Sequence, residues 1–310
     1  MSRIHDALKK AEQERAKGTQ AGVEMAATDA LEAAPLASGE ENSQDAGLSA
    51  TTAYQTAAVA QPGPAESLTT ASTQVEWKPD HRTMVFSNGF SGGAGAEEFR
   101  TLRSHLTQLR EKQPLQTLLV TSALPGEGKT FVAANLAQSI VQQKGRRVLL
   151  LDADLRLPQL HVSLGAPANP GLADYLKGEA DLSSIIQRGV PENLFFIPGG
   201  ALVNNPVELI SSGRLKTLLH RLSPLFDWII LDSPPSVPLS DASLLAENCD
   251  GVLLVVRAGV TPFDMAQRAS HSFADKHLLG VVLNRVHPQS SYSAYYYSGS
   301  YSSSKNGNKG

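Results

Sequence analysis

The chain has 310 residues, long enough for one large domain or two modest ones. Its net charge of −3 gives no general case for binding nucleic acid, and its single cysteine, Cys249, excludes an internal disulfide and fits a reducing compartment. No stretch reaches the roughly 18 apolar residues of a membrane-spanning helix, and the first residues lack an apolar signal-peptide core, so a soluble cytoplasmic protein is expected.

In chain order, "MSRIHDALKKAEQERAK" (1–17) reads as a short amphipathic helix. Ile4, Ala7, Leu8 and Ala11 recur at helical spacing, and Arg3, Lys9, Lys10, Arg15, Lys17, Asp6, Glu12 and Glu14 fill the other positions. Nothing adjacent covers that apolar stripe, so it either docks on a partner or frays as a weakly helical tail. Residues 18–80 hold nine acids and a single base, Lys78, with almost no aromatics, no hydrophobic period and the breaker cluster "QPGPAES". Such a stretch buries too little apolar surface to offset its ordering entropy, which predicts a disordered linker.

Between residues 81 and 288 the texture changes. "LQTLLVTS", "RVLLLDAD", "NLFFIPG", "FDWIILDS", "GVLLVV" and "LLGVVLN" are short apolar runs, each followed by Gly, Pro, Asp or Ser punctuation and then a helical pattern. Continuous rather than alternating runs suit strands covered on both faces, and strands interleaved with helices predict one α/β domain with a doubly wound, mostly parallel sheet. The last region, 289–310, is a Ser/Gly-rich tail. Five of the seven tyrosines, Tyr292, Tyr295, Tyr296, Tyr297 and Tyr301, fall in the final nineteen residues, where no apolar neighbours could bury their rings.

The first apolar run ends in "TSALPGEGKT". From Ala123 this follows the phosphate-loop spacing, with Ala in place of the first Gly and then Gly128-Lys129-Thr130 four residues on. Glycines such as Gly126 and Gly128 let backbone N–H groups turn toward phosphate oxygens, and the helix "TFVAANLAQSIVQQ" brings its positive N-terminal end. Gly126, Glu127, Gly128, Lys129, Thr130 and Phe131 are therefore the expected nucleotide-binding set, with Lys129 on the β/γ phosphates and the Thr130 hydroxyl on Mg²⁺. That implies ATP and Mg²⁺ as ligands.

Two further strand ends supply carboxylates. "VLLLDADLR" places Asp152 and Asp154 just beyond one strand, and "WIILDSPP" does the same with Asp232, the expected metal-holding acid. Any one of them alone would serve as a helix cap or turn former; three at strand ends beside a phosphate loop predict a cluster around a divalent cation. Asn284, which closes "GVVLN", stands where a base reader and a strand-end turn former are equally at home.

The ordered set "SALPGEGKT", "LLLDADLR" and "IILDSPP" resembles the bacterial tyrosine kinases of capsule and exopolysaccharide export. Asp152-x-Asp154-x-Arg156 is similar to a second Walker-like motif of that family, and "EEFRTLR" to its Glu-x2-Arg-x2-Arg oligomerisation motif, as Glu97, Arg100 and Arg103. From spacing alone, those three residues would be a solvated helix face, with Phe99, Leu102, Leu106 and Leu109 as its apolar stripe. "NPVELISS", "DSPPSVPLSDA" and the terminal tyrosine cluster also look like family segments. "SRIHDALKKAEQER" is similar to the start of standalone kinases whose membrane-spanning activator is a separate chain.

The resemblance implies a P-loop fold and ATP-dependent autophosphorylation of the tail in trans between subunits of a ring. It implies Lys129, Asp152 and Asp154 as the catalytic set, Thr130, Asp152 and Asp232 at the metal, and Asp152 or Asp154 as the base. It also implies a membrane chain-length regulator as activator at the inner face of the plasma membrane, a cognate tyrosine phosphatase, and no nucleic-acid partner. No HRD, DFG or APE segment is present, which excludes a eukaryotic-type kinase. The alternative is a nucleotide-dependent positioning or assembly ATPase. Such ATPases carry an extra lysine early in the phosphate loop, where this chain has Leu124 and Pro125.

Overall fold

The computed structural model describes residues 72–86, 95–189, 191–275 and 278–286. The expected docking helix (1–17), the linker as far as residue 71, and the tyrosine tail lie outside these residues. Among the described residues, one eight-stranded sheet runs through the domain in the order β1-β4-β5-β3-β6-β2-β7-β8. Its strands are β1 (Thr73–Gln74), β2 (Thr117–Ser122), β3 (Val148–Asp152), β4 (Gln187–Arg188), β5 (Leu194–Ile197), β6 (Trp228–Asp232), β7 (Gly251–Arg257) and β8 (Leu278–Asn284). All neighbours pair in parallel except β4 with β5. The six apolar runs of the sequence are β2, β3, β5, β6, β7 and β8. No helix of the described residues is long and apolar enough to cross a membrane.

Every residue of β2, β3, β5 and β6 is buried, which is why these segments read as continuous apolar runs. Alternation along each strand splits the core in two. Leu118, Val120, Leu150 and Ile230 face α1 (Ala96–Lys112) and α2 (Lys129–Val141), where Phe99, Leu106, Leu136 and Ile140 fill the layer. Leu119, Leu149, Leu151, Ile229 and Leu231 face the opposite way. They pack with residues of α4 (Leu172–Lys177), α7 (Arg214–Leu222) and α8 (Asp241–Ala246), among them Leu172, Leu176, Leu215, Leu218 and Leu245. Short helices α3 (Leu160–Leu164), α5 (Leu182–Ile185) and α6 (Pro206–Ser211) and the longer α9 (Phe263–Ser272) complete the crossovers.

The linker boundary drawn at residue 80 needs correcting, because residues 72–80 are built into the domain. β1 extends the sheet beside β4, and Val75 N–H donates to Arg188 O at 3.0 Å. Trp77 is buried edge-on against Phe196, with ring centroids 6.1 Å apart. Lys78 and Asp80 donate their amides to Gly165 O and Ser163 O, at the C-terminal end of α3. One aromatic anchor plus main-chain bonds hold this strap, and neither leaves a hydrophobic period in the sequence.

The central order β3-β6-β2 is what positions the site. Asp152 and Asp232, the last residues of β3 and β6, are register partners, and Val120 of β2 pairs with Asp232. The two acids and the loop leaving β2 are thereby set side by side at the carboxyl edge of the sheet.

Candidate active site

β2 leads into the loop 123–128, and α2 begins at Lys129. The turn needs two left-handed residues, supplied by Gly126 (φ 77°) and Gly128 (φ 99°). Lys129 extends to the acid cluster: its Nζ lies 2.9 Å from Asp154 Oδ2 and 3.9 Å from Asp232 Oδ1. The Thr130 hydroxyl donates to Asp232 Oδ2 at 2.6 Å. Asp152 Oδ2 accepts the amides of Gln159 and Leu160 at 3.0 Å each, at the start of α3, and its Oδ1 accepts the Asp154 amide at 3.2 Å. Asp154 Oδ1 accepts the Leu157 amide at 3.0 Å. Lys129, Thr130, Asp152, Asp154 and Asp232 thus converge at the carboxyl edge of the sheet.

Electrostatically the cluster is short of positive charge. Three buried carboxylates face one ammonium. Burial, then the Asp232 charge, pushes Asp152 well above the usual carboxylate range. Burial likewise pushes Asp232 up to about 6, against the pull of Lys129 and the Thr130 hydroxyl. Burial opposes the charge on Lys129, but Asp232 and Asp154 outweigh it and leave the ammonium held more tightly than usual. Asp232 Oδ1 is buried and accepts no hydrogen bond, an acceptor in want of a cation.

The other expected residues divide. The Phe131 ring packs on Phe99, with centroids 5.7 Å apart, so only its amide in the first turn of α2 faces the loop's task. Both polar atoms of the Asn284 amide are engaged within the chain, Nδ2 on Glu127 O and Oδ1 under the Arg285 amide, each at 2.8 Å. On α1, Glu97 and Arg100 form an ion pair, and Arg103 donates to Ser139 O at 2.5 Å. Arg156 makes a two-pronged contact with buried Asp241, Nε to Oδ2 at 2.8 Å and Nη2 to Oδ1 at 3.0 Å. Asp241, which the sequence offers only within the segment "DSPPSVPLSDA", and Thr261, whose hydroxyl donates to the Glu127 carboxylate, are polar residues around the site given no individual role by the sequence. Neither carries a local spacing signal.

An AAA-domain family model matches residues 116–263, which include the loop and all three acids. The tyrosine-protein kinase YwqD of Bacillus subtilis (strain 168) is 34% identical over 204 residues, covering 64% of this chain and 86% of that protein. The tyrosine-protein kinase CpsD of Streptococcus agalactiae is 33% identical over 193 residues, 61% of this chain and 82% of that one. Among solved structures, the kinase domain of the Escherichia coli tyrosine kinase ETK superposes with a TM-score of 0.62 at 30% identity, covering 64% of this chain and 78% of that one. The chimerical protein CapA2B2 gives 0.63 at 28% identity, covering 69% and 93%. With most of the length of YwqD and CpsD matched, and a phosphate loop set among buried acids, the chain belongs to the bacterial tyrosine-protein kinases.

Proposed function

We propose that this kinase transfers the γ-phosphoryl group of ATP to tyrosine hydroxyls, and that its own Tyr292, Tyr295, Tyr296, Tyr297 and Tyr301 are acceptors, presented in trans by another copy. The observation that carries the reading is the convergence of Lys129, Thr130, Asp152, Asp154 and Asp232 at the carboxyl edge of the sheet. In the reaction the phenolic oxygen bonds to the γ-phosphorus, the bond from that phosphorus to the β–γ bridging oxygen breaks, and ADP leaves. The phenolic proton passes to the Asp152–Asp154 pair. Asp154 is the more open member, since Asp152 is fully buried and held by three backbone amides. Lys129 and the amides at the start of α2 stabilise charge on the transferring group, where most of the catalysis of phosphoryl transfer lies.

The residues present fit Mg²⁺. The orphaned Asp232 Oδ1 and the adjacent Thr130 hydroxyl are oxygen donors, and the surplus of carboxylates calls for a cation. Among the described residues no group of three or more His, Cys, Asp or Glu side chains is arranged to hold a metal. The three acids expected to surround a cation therefore do not form such a group; Mg²⁺ itself takes one or two carboxylates and completes its shell with phosphate and water. When bound, it neutralises charge on the β- and γ-phosphate oxygens.

Phosphate on the tail adds roughly −1.5 to −2 charges per tyrosine, so a phosphorylated ring of subunits repels itself and comes apart. In this reading Glu97, Arg100 and Arg103 on α1 contribute to the subunit contact. Residues 1–17 dock on a membrane chain-length regulator that activates the enzyme at the inner face of the plasma membrane. A tyrosine phosphatase resets the tail, and the cycle regulates export of an exopolysaccharide. The test is incubation of the full-length chain with Mg²⁺-ATP, with and without the activator's cytoplasmic segment. Mass spectrometry is expected to place phosphate within residues 292–301, and Lys129→Met to abolish it. ATP hydrolysis with no phosphotyrosine under either condition would turn the reading into that of an assembly ATPase.

A further inference from the structure

The sequence places Glu127 and Asn284 at the nucleotide, yet in the structure both side chains act on the loop itself. Glu127 is buried in the middle of the phosphate loop. Its Oε2 accepts the Leu124 amide at 2.8 Å, which takes that N–H out of the set available to an anion. Its Oε1 accepts the hydroxyl of Thr261, from the loop between β7 and α9. The hydroxyl donates because a carboxylate offers only acceptor oxygens, and a lone pair on Thr261 Oγ1 remains to accept the Arg257 amide at 2.9 Å.

From the other side, Asn284 Nδ2 donates to Glu127 O at 2.8 Å. Asn284 is itself fixed by its register with Arg257 and by the Ala258 amide on its carbonyl at 2.9 Å. The peptide between Glu127 and Gly128 is trans and planar. Pinning the Glu127 carbonyl toward Asn284 therefore turns the Gly128 N–H to the opposite side. The φ of 99° at Gly128 calls for glycine, and a Cβ there would also push the Asn284 amide off its contact with the loop.

We propose that Thr261 is a positioning residue for nucleotide binding. Through the Glu127 carboxylate, and opposite Asn284, it holds residue 127 so that the Leu124 amide is withdrawn and the Gly128 amide is presented to the phosphates. The latch ties the loop after β2 to the ends of β7 and β8 and sets the cradle before a nucleotide arrives, which lowers the ordering cost of binding. It rests on the proposed function only in requiring that this loop take up Mg²⁺-ATP.

The experiment compares the full-length chain with Thr261→Val, Thr261→Ser, Asn284→Ala, the Val/Ala double variant and Lys129→Met. Calorimetry gives the Kd for Mg²⁺-ATP, steady-state assays give KM and kcat, and a thermal melt checks folding. Thr261→Val is expected to raise Kd and KM together by about 5- to 30-fold with kcat within about threefold, as for loss of one partner of a buried carboxylate. Thr261→Ser restores Kd to within about twofold, since the hydroxyl returns. The double variant loses less than the product of the single losses, because both changes act on residue 127. A Kd near wild type in Thr261→Val overturns the proposal, as does a fall in kcat at unchanged Kd or a failure of serine to rescue. Should the wild type take up no Mg²⁺-ATP, the latch and the kinase reading fall together. Should the wild type bind and Lys129→Met not bind while Thr261→Val titrates like wild type, the latch alone falls.

Discussion

Aspartates stand at both ends of this sheet and meet opposite treatment. At the amino edge, Asp227 and Asp250 immediately precede β6 and β7. Asp227 accepts the Arg146 guanidinium and the Arg147 amide, each at 2.8 Å, and Asp250 Oδ2 accepts the amides of Gln116 and Thr117 at 2.8 and 2.7 Å. Burial alone would raise Asp227, but these donors bring it below its ordinary value. At the carboxyl edge, Asp152 and Asp232 are more deeply buried, lie close enough to repel one another, and are pushed upward. An acid that ties strands together is given donors in proportion to its charge. At the carboxyl edge Asp232 keeps one oxygen without a hydrogen bond, and Asp152, although three backbone amides donate to it, is buried beside that like charge, so the fold bears the strain.

The largest test of that contrast removes one charge from the carboxyl edge. In Asp154→Asn the side-chain oxygen can still accept the Leu157 amide, while Lys129 loses its 2.9 Å ionic partner and the acceptor tyrosine loses its base. Phosphotyrosine formation in single-turnover assays is expected to fall by about 10²- to 10⁴-fold, with the melting temperature little changed. A loss of less than about tenfold would move the base to Asp152.

The matching change at the other edge is Asp250→Ala, which strips two strand-end amides of their acceptor. Here the loss is expected in stability, about 1–3 kcal/mol by denaturant unfolding, with turnover per folded molecule unchanged. If Asp250→Ala lowered kcat instead, the two ends of the sheet would not be functionally separate.

Much of this arrangement was open to reading from the sequence because its causes are local. Strands covered on both faces write continuous apolar runs, and a phosphate loop must place Gly, Lys and Thr in adjacent positions. Asp152 and Asp232 stand out because each closes such a run, and Asp154 because it stands two residues beyond one. What stayed hidden depends on contacts between distant segments. β1 and β4 are two residues each and show no period, and the strap from 72 to 80 hangs on Trp77 within a polar stretch. Arg156 and Asp241 meet across 85 residues, and nothing around either names the other. Asn284 and Glu127 were visible as residues near the site, but whether they touch nucleotide or loop is decided by the register of β8 on β7, which no motif records.

The smallest expected effect probes the strain directly. A carboxylate whose pKa is raised on folding, as Asp232 is from 3.8 to about 6, costs stability once it is ionised in the fold. The sign follows: the cost is absent below the unfolded value, grows as pH rises from about 4 to about 6, and is fully present above that. Asp232→Asn removes it. The amide oxygen still accepts the Thr130 hydroxyl, and repulsion with Asp152 disappears. Without nucleotide, the variant is expected to melt several degrees above wild type at about pH 7.5, at about 2–4 °C for each kcal/mol relieved in a domain of this size. The gap should close as pH is lowered toward about 4, where wild-type Asp232 is protonated. Calorimetric melts across that range, paired with loss of Mg²⁺-ATP uptake in the same variant, would show stability and function trading against each other at one atom pair. A variant less stable than wild type at neutral pH would mean that Asp232 is held as well as Asp227, and the contrast between the two ends of the sheet would not stand.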